Sequence, residues 1–315
     1  MNEPNRRRIL GILVTFRRPE ELLAMLDSLG SQDRLLDWLV VVDNDPIPGS
    51  EQIVRDRYPD RYGLEYIPSA QNLGPAGGIA LGMGRALEFA EDHDWLVLVD
   101  DNNPPSGTTL LGDLERFGET MLARDPLTAG VGRVGAGFDW RRGRVIAMSR
   151  LAEGQPGDAI AVDTIGGGHF PFYLVRAVRE VGPFLSDLFF GAEELEYGLR
   201  LRRAGFSLYA KASLWEEARK DDERIGLHVR PSLRVSDLGW RRYYDLRNLI
   251  YILRCFGRSG TAFRVSLVRG IGKPLANVVV NPLESTKHLR MNLKACWDGW
   301  TERMGRTLEP DTETW

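Results

Sequence analysis

The sequence predicts an α/β fold with a mostly parallel, doubly wound central sheet and a helical extension at its C-terminal end. Short apolar runs alternate with helical patterns through the first third of the chain, which is typical of strands buried on both faces. Three of these runs end abruptly in polar or acidic residues. The last part of the chain instead has basic sequence with helically spaced apolar residues.

Four apolar runs are the predicted strands of the sheet, namely Ile9–Thr15, Trp38–Val42, Leu64–Ile67 and Trp95–Val99. Glu20–Leu29 has helical apolar spacing, and a second helix is expected to begin near Pro75 and end near Ala90. Because crossovers between parallel strands are right-handed, the carboxyl ends of all four strands meet at one edge of the sheet.

Thr15, Asp43, Asp100 and Asp101 follow or end these strands, so they are expected to converge at that edge. Ligands bind at this edge in open α/β sheets, where an acidic residue typically accepts from a ribose hydroxyl. Two adjacent carboxylates repel each other unless a cation or hydrogen-bond donors hold them. The alternative is a set of simple turns, because Asp and Asn favour turns by their own chemistry.

Two later segments carry further candidate residues. Gly166–Phe172 has three consecutive glycines beside His169, which suits a loop packed on a bound group or a bend between two strands. Glu193–Gly205 begins with acids, ends with arginines and is closed by a glycine, an order that helix-dipole and capping preferences explain without any function. A carboxylate at the start of this helix also suits a general base.

Composition excludes several classes of protein. The formal net charge of −3 argues against a nucleic-acid-binding protein. Cys255 and Cys296 are too few for a disulfide framework, so a reducing compartment is expected. No apolar run approaches about 20 residues, the length that a membrane span needs. We therefore expect a cytosolic chain without a membrane-spanning segment.

The C-terminal extension is basic and amphipathic. Trp240–Lys273 carries eight Arg and Lys residues against one acid, Asp245. Such helices can rest on anionic lipid, and Lys287–Gly305 is a further candidate. The alternatives are a helix face packed against the rest of the chain and a contact between two copies in a homo-oligomer.

Six motifs, in this order between about residues 9 and 255, resemble glycosyltransferases of family 2, which have the GT-A fold. They are Val14-Thr15-Phe16, Val42-Asp43-Asn44, Asn72-Leu73-Gly74 through Gly77-Gly78, Asp100-Asp101-Asn102, Glu193–Glu196 with Leu199-Arg200, and Tyr243-Tyr244 with Arg247-Asn248. The third and sixth motifs are most similar to bacterial rhamnosyl- and galactofuranosyltransferases. The resemblance implies a catalytic domain over residues 1–235 and a helical extension over residues 236–315.

The resemblance also implies a nucleotide-diphosphate sugar donor, of the dTDP-rhamnose or UDP-galactofuranose type, and a saccharide or polyprenyl-linked acceptor. The donor-binding residues that it implies are Thr15, Phe16, Arg18, Asp43, Asn72, Gly78, Asp100 and Asp101. Glu194 falls on the catalytic carboxylate, which would deprotonate an acceptor hydroxyl in an inverting reaction. We expect His169, Glu193 and Glu196 to contact the acceptor. Peripheral contact with the inner face of a cell membrane would suit such an acceptor, in the biosynthesis of a cell-envelope polysaccharide.

Two departures from the family pattern concern the Mg²⁺ or Mn²⁺ ion that the resemblance implies. Asn102 stands where an aspartate usually holds the metal, and Leu214–Glu217 lacks the usual histidine. We expect Asp101, Asn102 and Glu216 to hold the cation, with His228 as an alternative to Glu216.

These departures keep a second reading open, a non-catalytic nucleotide-sugar-binding or scaffold protein. A nucleotidyltransferase would need a glycine-rich basic loop after the first strand, and Phe16–Pro19 has no glycine.

Overall fold

The computed structural model describes residues 6–58, 63–105, 107–155, 157–224, 239–277 and 282–309, so His228 lies outside the described residues. The strands are β1 (Ile9–Thr15), β2 (Trp38–Asp43), β3 (Leu64–Pro68), β4 (Trp95–Asp100), β5 (Thr128–Gly132), β6 (Gly135–Asp139), β7 (Arg144–Ala147), β8 (Ala159–Val162), β9 (Thr164–Ile165), β10 (Phe172–Leu174) and β11 (Ser207–Lys211).

The helices before the extension are α1 (Pro19–Gly30), α2 (Ser50–Arg57), α3 (Gly74–Leu87), α4 (Leu110–Arg124), α5 (Met148–Ala152), α6 (Val175–Val181), α7 (Glu193–Arg203) and α8 (Ala212–Arg224). Those of the extension are α9 (Gly239–Cys255), α10 (Ser259–Val265), α11 (Lys273–Asn277) and α12 (Pro282–Trp300). A π-helical segment, Ser266–Gly272, joins α10 to α11, and short 3-10 turns cover Gly167–His169 and Ser186–Leu188.

The central sheet has eight strands in the order β3-β2-β1-β4-β10-β5-β11-β8. The first four in sequence are parallel, as predicted. Strand β10 runs antiparallel to both β4 and β5, and β11 is parallel to β5, so six of the eight strands share one direction. The prediction of a mostly parallel sheet with C-terminal helices is therefore confirmed.

The strand register determines which polar residues lie beside one another at the carboxyl edge of the sheet. Thr15 pairs with Asp43, and Val14 pairs with Asp100, so the three strand ends lie side by side at the carboxyl edge. The strands are buried on both faces because one apolar core covers the side of α1 and α4 and a second covers the side of α3 and α6. The predicted convergence of polar strand ends is thus confirmed.

Two parts of the chain differ from the sequence pattern. Strands β6 and β7 form a hairpin around Arg141–Gly143 that belongs to a separate small sheet with β9 and not to the central sheet. Helix α2 was not expected, because Ser50–Arg57 is almost wholly polar and buries a single side chain, Val54.

The extension packs closely against the rest of the chain. Helix α9 buries residues on every side, including Tyr243, Tyr244 and Ile250, in a third core that also contains Phe189 and Leu195. The exposed large apolar side chains of the extension lie instead on α10, α11, α12 and the π segment. Within the described residues, no helix has the length and apolar character to cross a membrane.

Glycines let α3 lie directly on the sheet, which gives a test of how tightly this helix is placed. A Cβ at Gly82 would lie 2.5 Å from Cγ2 of Ile12, whereas a Cβ at Gly84 has no atom within 4 Å. Gly82→Ala should therefore lower the free energy of unfolding by about 1–3 kcal/mol through overpacking. Gly84→Ala, the matched control, should raise it by about 0.5–1 kcal/mol. Urea denaturation of both variants checks this, and equal effects would contradict the packing of α3 on β1.

Candidate active site

The carboxyl edge of the sheet holds a cavity of about 220 Å³, which we call the edge cavity. Its polar lining comes from the ends of β1 and β4, the start of α3 and the start of α7. A smaller cavity of about 40 Å³ shares Thr15 and Arg18 with it and is lined further by Asp43, Ile47 and Ile53. Together they form one cleft with a narrow, partly apolar end and a wider, acidic end.

Asp101 is held by groups on β1 and α1. Its carboxylate accepts a hydrogen bond of 2.7 Å from the Thr15 hydroxyl and lies 3.4 Å from Nη1 of Arg18. Burial raises the pKa of Asp101 to about 6, although Thr15 and Arg18 lower it. Both oxygens of Asp101 are therefore engaged by the protein itself, and the expectation that this residue holds a cation stays a prediction.

Of the neighbouring carboxylates Asp100 and Asp101, that of Asp100 faces the wider, acidic end of the cleft. It is half-buried, lines the edge cavity beside Asn102, and accepts a bond of 3.3 Å from the Asn102 backbone amide. A Cβ at Gly168 would lie 3.3 Å from Oδ2 of Asp100. The glycine-rich loop, for which a bound group and a bend between strands were both open, thus packs against this carboxylate.

Two further carboxylates enter the edge cavity from the first turn of α7. Glu193 is buried, and its Oε2 has no hydrogen-bond partner among the described residues. Burial and then the charge of Glu194 raise the pKa of Glu193 well above its usual range.

Glu194 packs directly against Gly167, where a Cβ would collide with its Oε1. Burial raises the pKa of Glu194, helped by the Asp100 and Asp245 charges and opposed by the backbone amides of Glu194 and Gly167. Burial therefore increases the proton affinity of the Glu194 carboxylate.

Glu194 also lines a third, larger cavity, of about 490 Å³. This outer cavity is bounded by the β6–β7 hairpin, β9, α9 and the π segment. Its lining includes Thr164, whose hydroxyl donates to the Glu194 carbonyl at 2.8 Å, and Leu249. Among the residues that line these cavities, Glu194 is the one carboxylate that borders both the edge cavity and the outer cavity.

Most residues predicted to bind the donor line the cleft. Phe16, Asn72 and Asp100 line the edge cavity. Asp43 lines the small cavity, and its carboxylate accepts a hydrogen bond of 2.7 Å from the Tyr66 hydroxyl. Gly78 is different, because a Cβ there would lie 2.6 Å from Cγ1 of Val14. Gly78 thus allows α3 to approach β1 and is not part of the cavity lining.

Three other predicted residues are not brought to these cavities. Glu196 is buried in an ion pair of 2.9 Å with Arg200, one turn along α7, so its carboxylate is engaged within the helix. His169 ends the 3-10 turn beyond Gly167, and it lines neither the edge cavity nor the outer cavity. Glu216 is exposed on α8, whose buried side carries Leu214 and Ala218, and it lies outside both linings.

Sequence reasoning also missed two residues that line the outer cavity, Asp245 and Arg269. Burial raises the pKa of Asp245, and the cations Arg241 and Arg269 lower it. The available signal was that Asp245 is the one acid in a long basic stretch.

The chain is similar in sequence to characterised sugar-transferring proteins. Residues 12–108 match the profile of the family Glycosyl transferase family 2. The galactofuranosyltransferase GlfT1 of Mycolicibacterium smegmatis is 32% identical over 257 residues, which cover 78% of this chain and 82% of the relative. The chain belongs to glycosyltransferase family 2. GlfT1 of Mycobacterium tuberculosis H37Rv is also 32% identical, over 253 residues, with the same 78% and 82% coverage.

Solved structures show that this glycosyltransferase has the GT-A fold. A mannosyltransferase from Pyrobaculum calidifontis, solved with GDP-mannose and Mn²⁺, superposes with a TM-score of 0.54 at 16% identity, covering 95% of this chain and 89% of that one. GalNAc-T7, solved with UDP, GalNAc and Mn²⁺, gives 0.52 at 10% identity and covers 80% and 48%. At these identities the likeness concerns the fold alone.

The loop that leads into α7 of this glycosyltransferase is strained. Phe189, Gly191 and Ala192 have φ angles of 59°, 79° and 64°, so two non-glycine residues occupy the positive-φ region. Such conformations persist only where the surroundings over-determine them. The Phe189 carbonyl also accepts from the Ala76 amide at 3.3 Å, which ties the loop to the start of α3 beside the edge cavity.

Arg247 and Asn248 on α9 hold this loop in place. Nδ2 of Asn248 lies 3.0, 2.9 and 2.7 Å from the carbonyl oxygens of Leu188, Phe190 and Gly191. Arg247 is fully buried, and its guanidinium donates to the Leu188 carbonyl at 2.8 Å and to the Gly305 carbonyl at 2.7 Å. The extension therefore fixes the segment from which Glu193 and Glu194 project.

This arrangement predicts that Asn248→Ala releases the loop. Gln32 is a matched control, because its buried amide makes three bonds to backbone groups and lines none of the cavities described above. Both alanine variants should lose about 1–3 kcal/mol of unfolding free energy. In hydrogen–deuterium exchange, only Asn248→Ala should lose protection across residues 188–196. Unchanged protection there would contradict the positioning role of Asn248.

Proposed function

We propose that this family 2 glycosyltransferase moves galactofuranose from a nucleotide-diphosphate donor of the UDP-galactofuranose type to a saccharide acceptor, with inversion at the anomeric carbon. The observation that carries the proposal is the position of Glu194 between the edge cavity and the outer cavity. The identity to two galactofuranosyltransferases favours this sugar over rhamnose.

The donor occupies the cleft at the sheet edge. Its base fits the small cavity, where Ile47 and Ile53 offer apolar contact and Asp43 offers an acceptor for a base or ribose donor. The ribose and diphosphate lie along the edge cavity, near Thr15, Arg18 and Nδ2 of Asn72, which has no hydrogen-bond partner among the described residues. Asp101, engaged by Thr15 and Arg18, stiffens this wall and accepts from ribose.

A divalent cation fits beside Asp100. Mg²⁺ and similar ions are usually bound by one or two carboxylates together with substrate phosphates. Asp100 and Asn102 supply a carboxylate and an amide oxygen at the edge cavity, and no cluster of three or more His, Cys, Asp or Glu ligands occurs among the described residues. The diphosphate therefore completes the site. When bound, the ion stabilises the negative charge of the leaving nucleoside diphosphate.

Glu194 is the general base of the proposal. Burial raises the pKa of Glu194, which makes its carboxylate a stronger proton acceptor. An acceptor hydroxyl in the outer cavity loses its proton to Glu194 and attacks the anomeric carbon from the side opposite the leaving diphosphate. That geometry inverts the configuration. The N–H of Gly167 holds the carboxylate in position.

In this proposal, residues 1–235 form the donor-binding and catalytic domain and residues 236–315 form the helical extension. Phe263, Leu267 and Val268 are 57%, 46% and 52% exposed, beside the cation Arg264. Apolar and basic side chains together suit peripheral contact with an anionic bilayer. Such contact supports a lipid-linked saccharide as the acceptor.

Removal of the Glu194 carboxylate tests the proposal. Glu194→Gln should lower kcat by about 10²–10⁴-fold, because the amide cannot take a proton, with little change in UDP affinity. Glu217→Gln, an exposed change of the same kind on α8, should leave both unchanged. Mass spectrometry measures product formation from UDP-galactofuranose and from dTDP-rhamnose, with a panel of alkyl glycosides as acceptors. NMR identifies the anomer of the product.

Full activity of Glu194→Gln would overturn the assignment of the base. Absence of transfer from either donor by the unaltered protein, despite nucleotide binding, would favour a non-catalytic nucleotide-sugar-binding protein.

A further inference from the structure

A fourth cavity continues the outer cavity along the extension. This basic cavity, of about 290 Å³, is lined by Arg242, Asp245, Leu246, Arg269 and Lys273. Asp245 and Arg269 line the outer cavity as well, so the two are continuous. A groove therefore runs from Glu194, past the Asp245–Arg269 position, to Arg242 and Lys273.

Two helices build the walls of this groove. Arg242, Asp245 and Leu249 recur at helical spacing on α9, so they share one face of that helix. Arg269 and Lys273 lie four residues apart on the opposite wall, at the π segment and the start of α11. Nη2 of Arg269 donates 3.0 Å to the Gly143 carbonyl, which anchors this wall to the β6–β7 hairpin. The groove is thus a built feature with fixed walls.

Positive charge in the groove is not balanced. Arg144, Arg242, Arg269 and Lys273 face two carboxylates, those of Asp245 and Glu194. In the part of the chain that the structure describes, none of the four cations forms an ion pair. Burial lowers the pKa of Arg269, the charge of Asp245 raises it, and the charge of Arg144 lowers it. Asp245 therefore offsets part of the repulsion between these cations, and an anion in the groove would offset more.

We propose that the basic cavity binds a phosphate ester carried by the acceptor, while the sugar of that acceptor reaches Glu194 through the outer cavity. Arg and Lys at one end of a groove are the groups that recognise phosphate, Arg by bidentate hydrogen bonds. The inference rests on the proposed function, because it assigns the outer cavity to the acceptor.

The group attached to the phosphate is apolar. Leu275, two residues after Lys273, is 51% exposed, and Val268, next to Arg269, is 52% exposed. Apolar side chains therefore flank the cations on the same helical wall. An alkyl or isoprenyl phosphate matches this combination of charge and exposed apolar surface.

The test uses farnesyl diphosphate as the probe, with farnesol and inorganic phosphate for comparison. Calorimetric titrations are made on the full chain already saturated with UDP and Mn²⁺, so that the donor cleft is not available to the diphosphate. The variant is Arg242→Gln with Lys273→Gln, which leaves the anchored Arg269 in place. The control is Arg290→Gln with Arg303→Gln, which removes the same charge at exposed positions outside the groove.

Farnesyl diphosphate should bind the unaltered and control proteins, and its affinity should fall at least about 10-fold in the groove variant. Farnesol and inorganic phosphate should bind much more weakly. Equal affinity for the diphosphate in the groove variant and the control would overturn the proposal. Binding of phosphatidylglycerol vesicles that falls in the groove variant, without a fall for farnesyl diphosphate, would assign the cations to a bilayer and overturn it too.

The same titrations separate this inference from the proposed function. Binding of UDP with Mn²⁺ reports on the donor cleft and should be equal in all three proteins. Loss of UDP binding by the unaltered protein would count against the proposed donor, whereas normal UDP binding without a groove effect counts against the phosphate subsite alone.

Discussion

Uncompensated negative charge at the carboxyl edge of the sheet is the constraint on which the rest of the structure depends. Four carboxylates, those of Asp100, Asp101, Glu193 and Glu194, line a cavity in which Arg18 is the one cation among the lining residues. Buried like charges raise one another's pKa and destabilise the folded chain unless other groups hold them. Hydrogen bonds from Thr15 and the Gly167 amide hold two of them.

The glycine-rich loop and the extension both follow from this constraint. Gly167 and Gly168 let backbone approach the Glu194 and Asp100 carboxylates, where a side chain would take the space. The strained turn at Phe189–Ala192 then aims the first turn of α7 at the same cavity, and Arg247 with Asn248 holds that turn. Helix α9 is therefore part of the active-site support, which explains why it is buried on all sides and is not a solvent-facing amphipathic helix.

The sheet and much of the cleft could be predicted because periodicity and strand ends carry that information. Apolar runs ending in Thr15, Asp43 and Asp100 fix a shared edge once the strands are known to be parallel. The direction of a side chain around such an edge is not in the pattern. Asp101 and Asp100 are neighbours in sequence, yet one is engaged by Thr15 and Arg18 and the other faces the cavity.

Some predicted site residues have surroundings that depend on packing, which the sequence pattern does not show. Gly78 serves the contact between α3 and Val14, and Glu196 pairs with Arg200 within its own helix. Asp245 and Arg269 come together only when α9 and the π segment pack, and no local signal marks that contact.

We expect the acidic end of the cleft to need a cation before it accepts a nucleotide diphosphate. Calorimetric titration with UDP, in the presence and absence of Mn²⁺, measures this dependence. UDP should bind with micromolar affinity in the presence of Mn²⁺ and at least about 10-fold more weakly without it, because Asp100 and Glu194 repel the bare diphosphate. Equally tight binding without metal would show that protein donors alone hold the diphosphate and that the cleft needs no cation.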